Sequence, residues 1–384
     1  MKHKLNDLSV AAAFAGLLLA VLIFNLLKSP AELSYSERRR LARFPAPSVA
    51  SVMNGAFMEG FDDYAVDQIA FRDPFRQLKA VFDLGVLRKS DNNAIFVVGD
   101  QVFKTEYPLH ENSVTRLCGI LNYVDARYLD GMNVHYAIVP DKNYYLEHTR
   151  HLKLDYPAMA DLVRANLNET IRPIDLFGAL SLDSYYLTDA HWRQEKLGGV
   201  VSALSEGLGA DMELDLGAYE ANSYFPFYGV YFGQSALAVT PDELIYLVSE
   251  TTEKAVVTSI EAPGELAVYN TDELGGMDSY NLFMLGPAAI VTARNPEGGS
   301  GRELVIFRDS YASSLTPLLL DGYDAVTLVD LRYIRPDLVG DFVEFAGQDV
   351  LFLYSSTLFN NSDSMKSPPA EDFTSPFTTR FRNR

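Results

Sequence analysis

Cysteine is almost missing from this chain of 384 residues: Cys118 stands alone, so no intramolecular disulfide forms and no cysteine-based zinc site can be built. Positive charge is scarce as well. Against 51 Asp and Glu there are only 32 Lys and Arg, a net charge of −19 that repels phosphate backbones and argues against nucleic acid as a partner. Tryptophan occurs once, as Trp192, and neither an internal repeat nor a low-complexity block is present. The remainder is ordinary globular material, with 48% hydrophobic and 22% charged residues, enough to bury a real core. The length allows two or three domains, or one large α/β domain with insertions.

One apolar run is long. From Leu8 to Leu27 no residue is charged, and at 1.5 Å per helical residue the stretch crosses a hydrocarbon core about 30 Å thick. It reads as an uncleaved membrane anchor over residues 1–28, in preference to a cleaved signal peptide or a buried soluble helix, because the flank Lys28-Ser29-Pro30-Ala31-Glu32 is a poor cleavage site. Lys2 and Lys4 precede the span, whereas Lys28, Arg38, Arg39, Arg40 and Arg43 follow it, so charge alone favours a cytoplasmic body. The short polar segment before the span has instead the form of a signal-anchor. Residues 29–56 read as a Pro-, Ser- and Arg-rich linker, the body as beginning near Phe57, and residues 358–384 as a disordered tail, frayed from Ser362 onward.

Within the body, residues 57–90 carry apolar positions at helical spacing, broken at Asp73-Pro74. Ile95–Val98, Gly99-Asp100 and Gln101–Phe103 form a strand hairpin, Val114–Tyr128 a helix, and Met132–Pro140 a buried strand ending in Asp141-Lys142. Strands at Glu303–Phe307, Ala325–Val329 and Val350–Tyr354 alternate with helices at Tyr311–Leu320 and Pro336–Ala346, which predicts an α/β fold with a parallel sheet. Chemistry in such sheets gathers beyond the carboxyl ends of the strands, here at Arg308-Asp309-Ser310. The Gly-rich segment 295–301 reads as a hairpin connection; no Gly-Lys-Ser/Thr follows that would make it a phosphate cradle. Glu147-His148 and His151 lack the spacing of a metal-binding helix, so no metal site is expected.

Two short stretches carry possible chemistry. In Asp189-Ala190-His191-Trp192 the acid and the imidazole are two residues apart, which places them on one side of an extended or bent segment but splays them on a helix. Asp189 can then bond one ring nitrogen and leave the other to take a proton. Asp309-Ser310 sits between a strand end and a helix start, where a hydroxyl is exposed and helix N–H groups can meet an oxyanion. Taken alone, each is also an ordinary capping sequence.

Their order, Asp189-Ala190-His191-Trp192, then Phe307-Arg308-Asp309-Ser310-Tyr311, then Val329-Asp330-Leu331-Arg332-Tyr333, resembles the bacterial DHHW family, which is related to the SGNH-hydrolase-like alginate O-acetylation proteins AlgJ and AlgX. Glu37-Arg38-Arg39-Arg40-Leu41, Asp67-Gln68, Val139-Pro140-Asp141-Lys142 and Asp278-Ser279-Tyr280 before Gly286 support the likeness, which spans roughly residues 35–357. It implies an SGNH-hydrolase-like sheet flanked by helices over 57–357 and a triad of Ser310, His191 and Asp189 working through an acyl-enzyme. It implies too an anchored, extracytoplasmic O-acetyltransferase of exported polysaccharide, supplied with acetyl by a membrane-bound O-acyltransferase, with no cofactor. Trp192, Lys142 and Arg308 are the substrate-binding candidates. The chain departs from the pattern where Arg308 replaces the glycine of a Gly-Asp-Ser block, and it has no room after residue 357 for a separate carbohydrate-binding module. Only the Ser310 backbone N–H is assigned to the oxyanion. The competing readings are a non-catalytic polysaccharide-binding or scaffolding protein and a carbohydrate acetylesterase.

Overall fold

The computed structural model describes residues 2–147, 149–212 and 214–370, with side chains from Ser9 onward. The chain forms two compact units, residues 1–93 with 232–238, and residues 94–231 with 239–384. The sheet-bearing unit thus starts at Ala94, where the sequence reading set the body near Phe57.

In the first unit a helix runs from Lys2 to Leu27, and its stretch Ser9–Leu27 is long and apolar enough to cross a membrane, with none of its hydrophobic window buried in protein. Residues 29–56 are more ordered than a linker. Leu33-Ser34 pairs with Arg39-Arg40, and Val49–Met53 is a short helix capped by Ser48. The reason lies in Asp67-Gln68 at the end of helix Ala56–Gln68. Asp67 takes the Arg39 guanidinium in a fork (2.8 and 2.5 Å) and the Ala42 N–H (2.8 Å), and Gln68 bridges the backbone of Ala31 and Ala42. The Arg39 fork pulls the Asp67 carboxyl down to about 2. A second helix, Arg72–Val81, continues as a π-turn to Val86, and the break expected at Asp73-Pro74 falls at residues 69–71, where Phe71 has φ +59°.

The second unit is built on a seven-stranded sheet whose strands are, in chain order, β1 (Asn133–Val139), β2 (Arg172–Ile174), β3 (Val256–Ser259), β4 (Ile290–Arg294), β5 (Glu303–Arg308), β6 (Ala325–Val329) and β7 (Asp349–Ser355). Their spatial order is β2-β1-β7-β5-β6-β4-β3. The first five run parallel, while β4 and β3 add an antiparallel edge. Alternate residues feed opposite faces. Leu304, Ile306, Leu351 and Leu353 join one core with helices Gly198–Leu208 and Tyr311–Leu319, whereas Val305, Phe307, Val350 and Phe352 join another with helices Glu111–Tyr128 and Tyr156–Asn166. Each fully buried Leu or Phe contributes roughly 1.5–3 kcal/mol, so the layered core holds the strand ends in register. The Gly99 hairpin forms as expected, Ile95–Val98 against Gln101–Lys104.

Three expectations need correction. The helix placed at 336–346 is a 3₁₀ segment, Pro336–Asp341. The Tyr128 hydroxyl donates to the Asp337 carbonyl (2.9 Å), an acceptor that an α-helix would have used internally, and Gly340 lies so close to the Tyr128 ring that a Cβ would stand 2.7 Å from it. Segment 295–301 is no hairpin, because β6 lies between β4 and β5; the Asp324 carboxylate gathers its Ser300 and Gly301 N–H groups. The tail is anchored through its start: Ser362 and Met365 are buried, and Arg116 donates to the carbonyls of both. Residues 371–384 lie outside the described residues, as does His148.

Candidate active site

Four parallel strands end in polar residues at one edge: β1 runs into Asp141, β5 into Asp309-Ser310, β6 into Asp330, and β7 closes on Ser355. Asp309 turns the chain from strand to helix. Its Oδ1 accepts the Tyr311 N–H (3.1 Å) and its Oδ2 the Ser355 N–H (2.8 Å), so the same carboxylate pins the helix start to β7. Ser310 is the N-cap of helix Tyr311–Leu319 and stays partly exposed.

Asp189 and His191 come from a loop pinched shut by a bridge between Tyr185 and Trp192. The loop is bent as the spacing required. Asp189 Oδ1 accepts both the His191 N–H (3.0 Å) and the ring Nδ1–H (2.6 Å), and Oδ2 accepts the Val230 N–H (2.7 Å). Asp189 is fully buried, whereas the His191 side chain keeps 14% exposure. On its far side His191 Nε2 stands 2.6 Å from Ser310 Oγ. With Nδ1 protonated by its bond to Asp189, Nε2 is the acceptor for the Ser310 hydroxyl proton.

The three residues named for substrate turn inward. Trp192 is fully buried, donating Nε1–H to the Tyr311 carbonyl (3.1 Å) and Ser314 Oγ (3.0 Å), so it fastens the loop to helix Tyr311–Leu319 and has no exposed face for a sugar ring. Lys142 is buried beneath the same loop, donating to the carbonyls of Tyr186 (2.9 Å) and Leu187 (3.0 Å) with its ammonium over the rings of Phe103 and Tyr231. Burial pushes it down to about 7, against the pull of Asp189, Asp242 and Asp141. Arg308, the last residue of β5, ties strand ends together: it donates to the Gly286 carbonyl (3.0 Å) and Ser313 Oγ (3.2 Å) and lies 3.9 Å from Asp330, which also holds Arg332 in a fork. Burial pulls its pKa down while Asp330 opposes the shift. The glycine-to-arginine departure is therefore a structural cross-link. A long cation at a strand end can reach outward or fold back, and the buried carbonyls and carboxylates here decide for the latter.

Other residues shape the site. Tyr280 stacks its ring on the imidazole (3.9 Å between centroids, 13° apart) and bonds Ser314 Oγ (2.8 Å). Asp242 gathers the Leu187 and Thr188 N–H groups and the Thr188 hydroxyl (2.5, 2.7 and 2.6 Å), presenting the loop just before Asp189. Gly229 passes so near that a Cβ would stand 2.3 Å from the Thr188 carbonyl oxygen and 2.4 Å from Asp189 Cβ. Tyr280 lies in the quoted Asp278-Ser279-Tyr280, but nothing local to Asp242 or Gly229 marks them, because their partners are remote in sequence. Among the described residues no group of three or more His, Cys, Asp and Glu is placed to hold a metal ion.

No family model and no curated protein matches the chain. Solved structures do. The chain is similar to a DHHW family protein from Eubacterium siraeum, at 18% identity and a TM-score of 0.59, over 71% of this chain and 94% of that one. It is similar to Bacillus cereus PatB1, at 16% identity and a TM-score of 0.56 over 71% and 98% of the two chains, and to PatB1 with a sulfonyl adduct, at 15%, 0.55, 72% and 98%. The O-acetyltransferase domain of Pseudomonas putida AlgJ matches more loosely, at 13% identity and a TM-score of 0.44 over 76% and 99%. The fold is α/β, a mostly parallel sheet flanked by helices, and it is shared with the DHHW family protein and PatB1.

Proposed function

We propose that this chain is a membrane-anchored, extracytoplasmic O-acetyltransferase of an exported polysaccharide, with Ser310 as nucleophile, His191 as general base and Asp189 as the carboxylate that orients it. The observation that carries the reading is the continuous relay Asp189 Oδ1 to His191 Nδ1 and His191 Nε2 to Ser310 Oγ, both steps at 2.6 Å. Ser310 Oγ attacks the carbonyl carbon of an acetyl donor as its proton passes to His191 Nε2. The tetrahedral oxyanion meets the Ser310 backbone N–H and the positive end of helix Tyr311–Leu319. Collapse expels the donor's leaving group, which takes the proton from His191, and leaves acetyl-Ser310. A sugar hydroxyl then attacks this ester, giving its proton to His191, which returns it to Ser310 Oγ as the O-acetyl sugar departs. Asp189 stays ionised and stabilises each imidazolium.

The acetyl group, the polysaccharide acceptor and the membrane-bound O-acyltransferase that supplies acetyl come from the family resemblance. Placement outside the cell rests on that resemblance and on the short polar lead before the apolar helix. The test is acetyl release from a chromogenic ester, with and without a polysaccharide acceptor, by the full chain in lipid. Ser310→Ala should lower the rate at least about 10³-fold. Equal rates would leave a binding or scaffolding protein on the same fold, and release that ignores the acceptor would make it an esterase.

A further inference from the structure

The helix that opens at Arg72 is turned inside out. In a water-soluble unit an amphipathic helix buries its apolar stripe and wets its charges. Here Phe71, Phe75, Leu78 and Phe82 recur at spacings of four, three and four residues, one helical face, and each is about half exposed or more, Leu78 at 65%. Val86 extends the stripe. The charged side points into the protein. Arg72 and Arg76 pair with the two oxygens of Glu37, and Asp83, 9% exposed, takes Lys79 (3.2 Å) and Lys89 (3.0 Å), whose own side chains stay more than half exposed beside the stripe. Singly exposed hydrophobics need no explanation, but a whole apolar face displayed while its polar face is satisfied inside does.

The apolar N-terminal helix indicates what covers it. Phe71 stacks on Phe24 (5.6 Å between centroids), and the Ala70 N–H donates to Asn25 Oδ1 (2.6 Å). Both contacts fall in the last turn of the Ser9–Leu27 stretch, within about 5 Å of its end at 1.5 Å per residue. If that stretch spans the bilayer, the first residues of the inverted helix stand at the depth where acyl chains give way to headgroups.

We infer that the Arg72–Val86 helix is an interfacial element, lying along the bilayer surface with Phe75, Leu78 and Phe82 among the upper acyl segments. This rests on the anchor reading and is independent of the acyl-transfer chemistry. Its occupant is lipid rather than a partner protein because the face continues from the membrane-spanning helix itself and is flanked by Lys79, Arg88 and Lys89, suited to headgroup phosphates.

The test uses the full chain in phosphatidylcholine and phosphatidylglycerol vesicles, with Cys118→Ser as background. A polarity-sensitive fluorophore is placed singly by Leu78→Cys, Phe82→Cys, Gln77→Cys and, at the middle of the span, Leu18→Cys, and quenched by lipids spin-labelled at the 5-position for the helix sites and deep in the acyl chain, at the 12-position, for Leu18. Quenching at residues 78 and 82 should exceed that at Gln77 by about twofold or more and approach that at Leu18. Two independent positions on the stripe guard against one misfolded variant. Quenching at Leu18 but not at 78 or 82 overturns the interfacial helix and leaves the anchor standing. No quenching at Leu18 overturns both. Probes at 78 and 82 that remain wet in vesicles and are covered only by an added membrane protein overturn the lipid assignment.

Discussion

Two strand ends of the sheet are built by the same device and put to different ends. At the close of β1, Asp141 takes the Asn143 N–H with one oxygen (2.9 Å) and the Ser356 hydroxyl with the other (3.0 Å). At the close of β5, Asp309 takes the Tyr311 N–H with one oxygen and the Ser355 N–H with the other. Both carboxylates thus clamp a sharp turn to the end of β7, which lies between β1 and β5. The next residue makes the difference. Lys142 folds into the interior and supports the Tyr186 and Leu187 carbonyls, whereas Ser310 reaches the partly exposed edge and meets His191. An aspartate at a strand end is therefore scaffolding in both places; what differs is whether the next side chain turns into the core or meets an imidazole at the partly exposed edge.

The contrast is tested most severely by removing the proposed nucleophile or its proposed base. Ser310→Ala and His191→Ala should each lower acetyl transfer roughly 10³- to 10⁶-fold, and the double variant should fall no further than the worse single one, because the pair acts as a unit. Losses that multiply would mean that the two act separately. Next come the clamps. Asp141→Ala and Asp309→Ala should each cost about 3 kcal/mol in urea unfolding, since the first strands three buried donors (Asn143 N–H and the Tyr156 and Ser356 hydroxyls) and the second two, but only Asp309→Ala should also depress kcat in the protein that remains folded. The reverse pattern would undo the comparison.

Lys142 gives a pH signature. Its pKa falls from 10.5 to about 7 on folding, so between these values the unfolded chain holds a proton that the folded one has released. Stability must then rise with pH across that window and lose this contribution as pH falls through 7. Relative to Lys142→Met, the wild type should gain on the order of 1 kcal/mol per pH unit between about pH 7 and 10 in urea midpoints. A flat difference would show that the ammonium is not desolvated. The smallest effect belongs to Tyr280→Phe, which keeps the ring stacked on His191 and loses only the Ser314 bond. Transfer should drop less than about threefold, with roughly 1 kcal/mol of stability lost.

The relay was legible in the sequence because two of its members are local. Asp189 and His191 are joined by a two-residue bend, and Ser310 is marked by a β-branched and aromatic strand that stops just before it. The parallel strands were legible for the same reason, as short runs of Val, Ile, Leu and Phe buried on both faces. What stayed hidden was long-range. Asp242 reaches back to Thr188, Tyr128 to Asp337 and Arg116 to Met365, and no short pattern encodes such partners. The inward turn of Trp192, Lys142 and Arg308 was hidden too, since a residue type does not say which side of a strand end its neighbours leave open.

Intact-protein and peptide mass spectrometry after treatment with phenylmethylsulfonyl fluoride, which sulfonylates a serine activated by a neighbouring base, probes the Asp189–His191–Ser310 relay itself. One sulfonyl group should appear on Ser310, formed with loss of fluoride, far more slowly in His191→Ala and Asp189→Asn, and none in Ser310→Ala. Labelling of Ser310 at an unchanged rate without His191, or a single adduct on another residue, would contradict that relay.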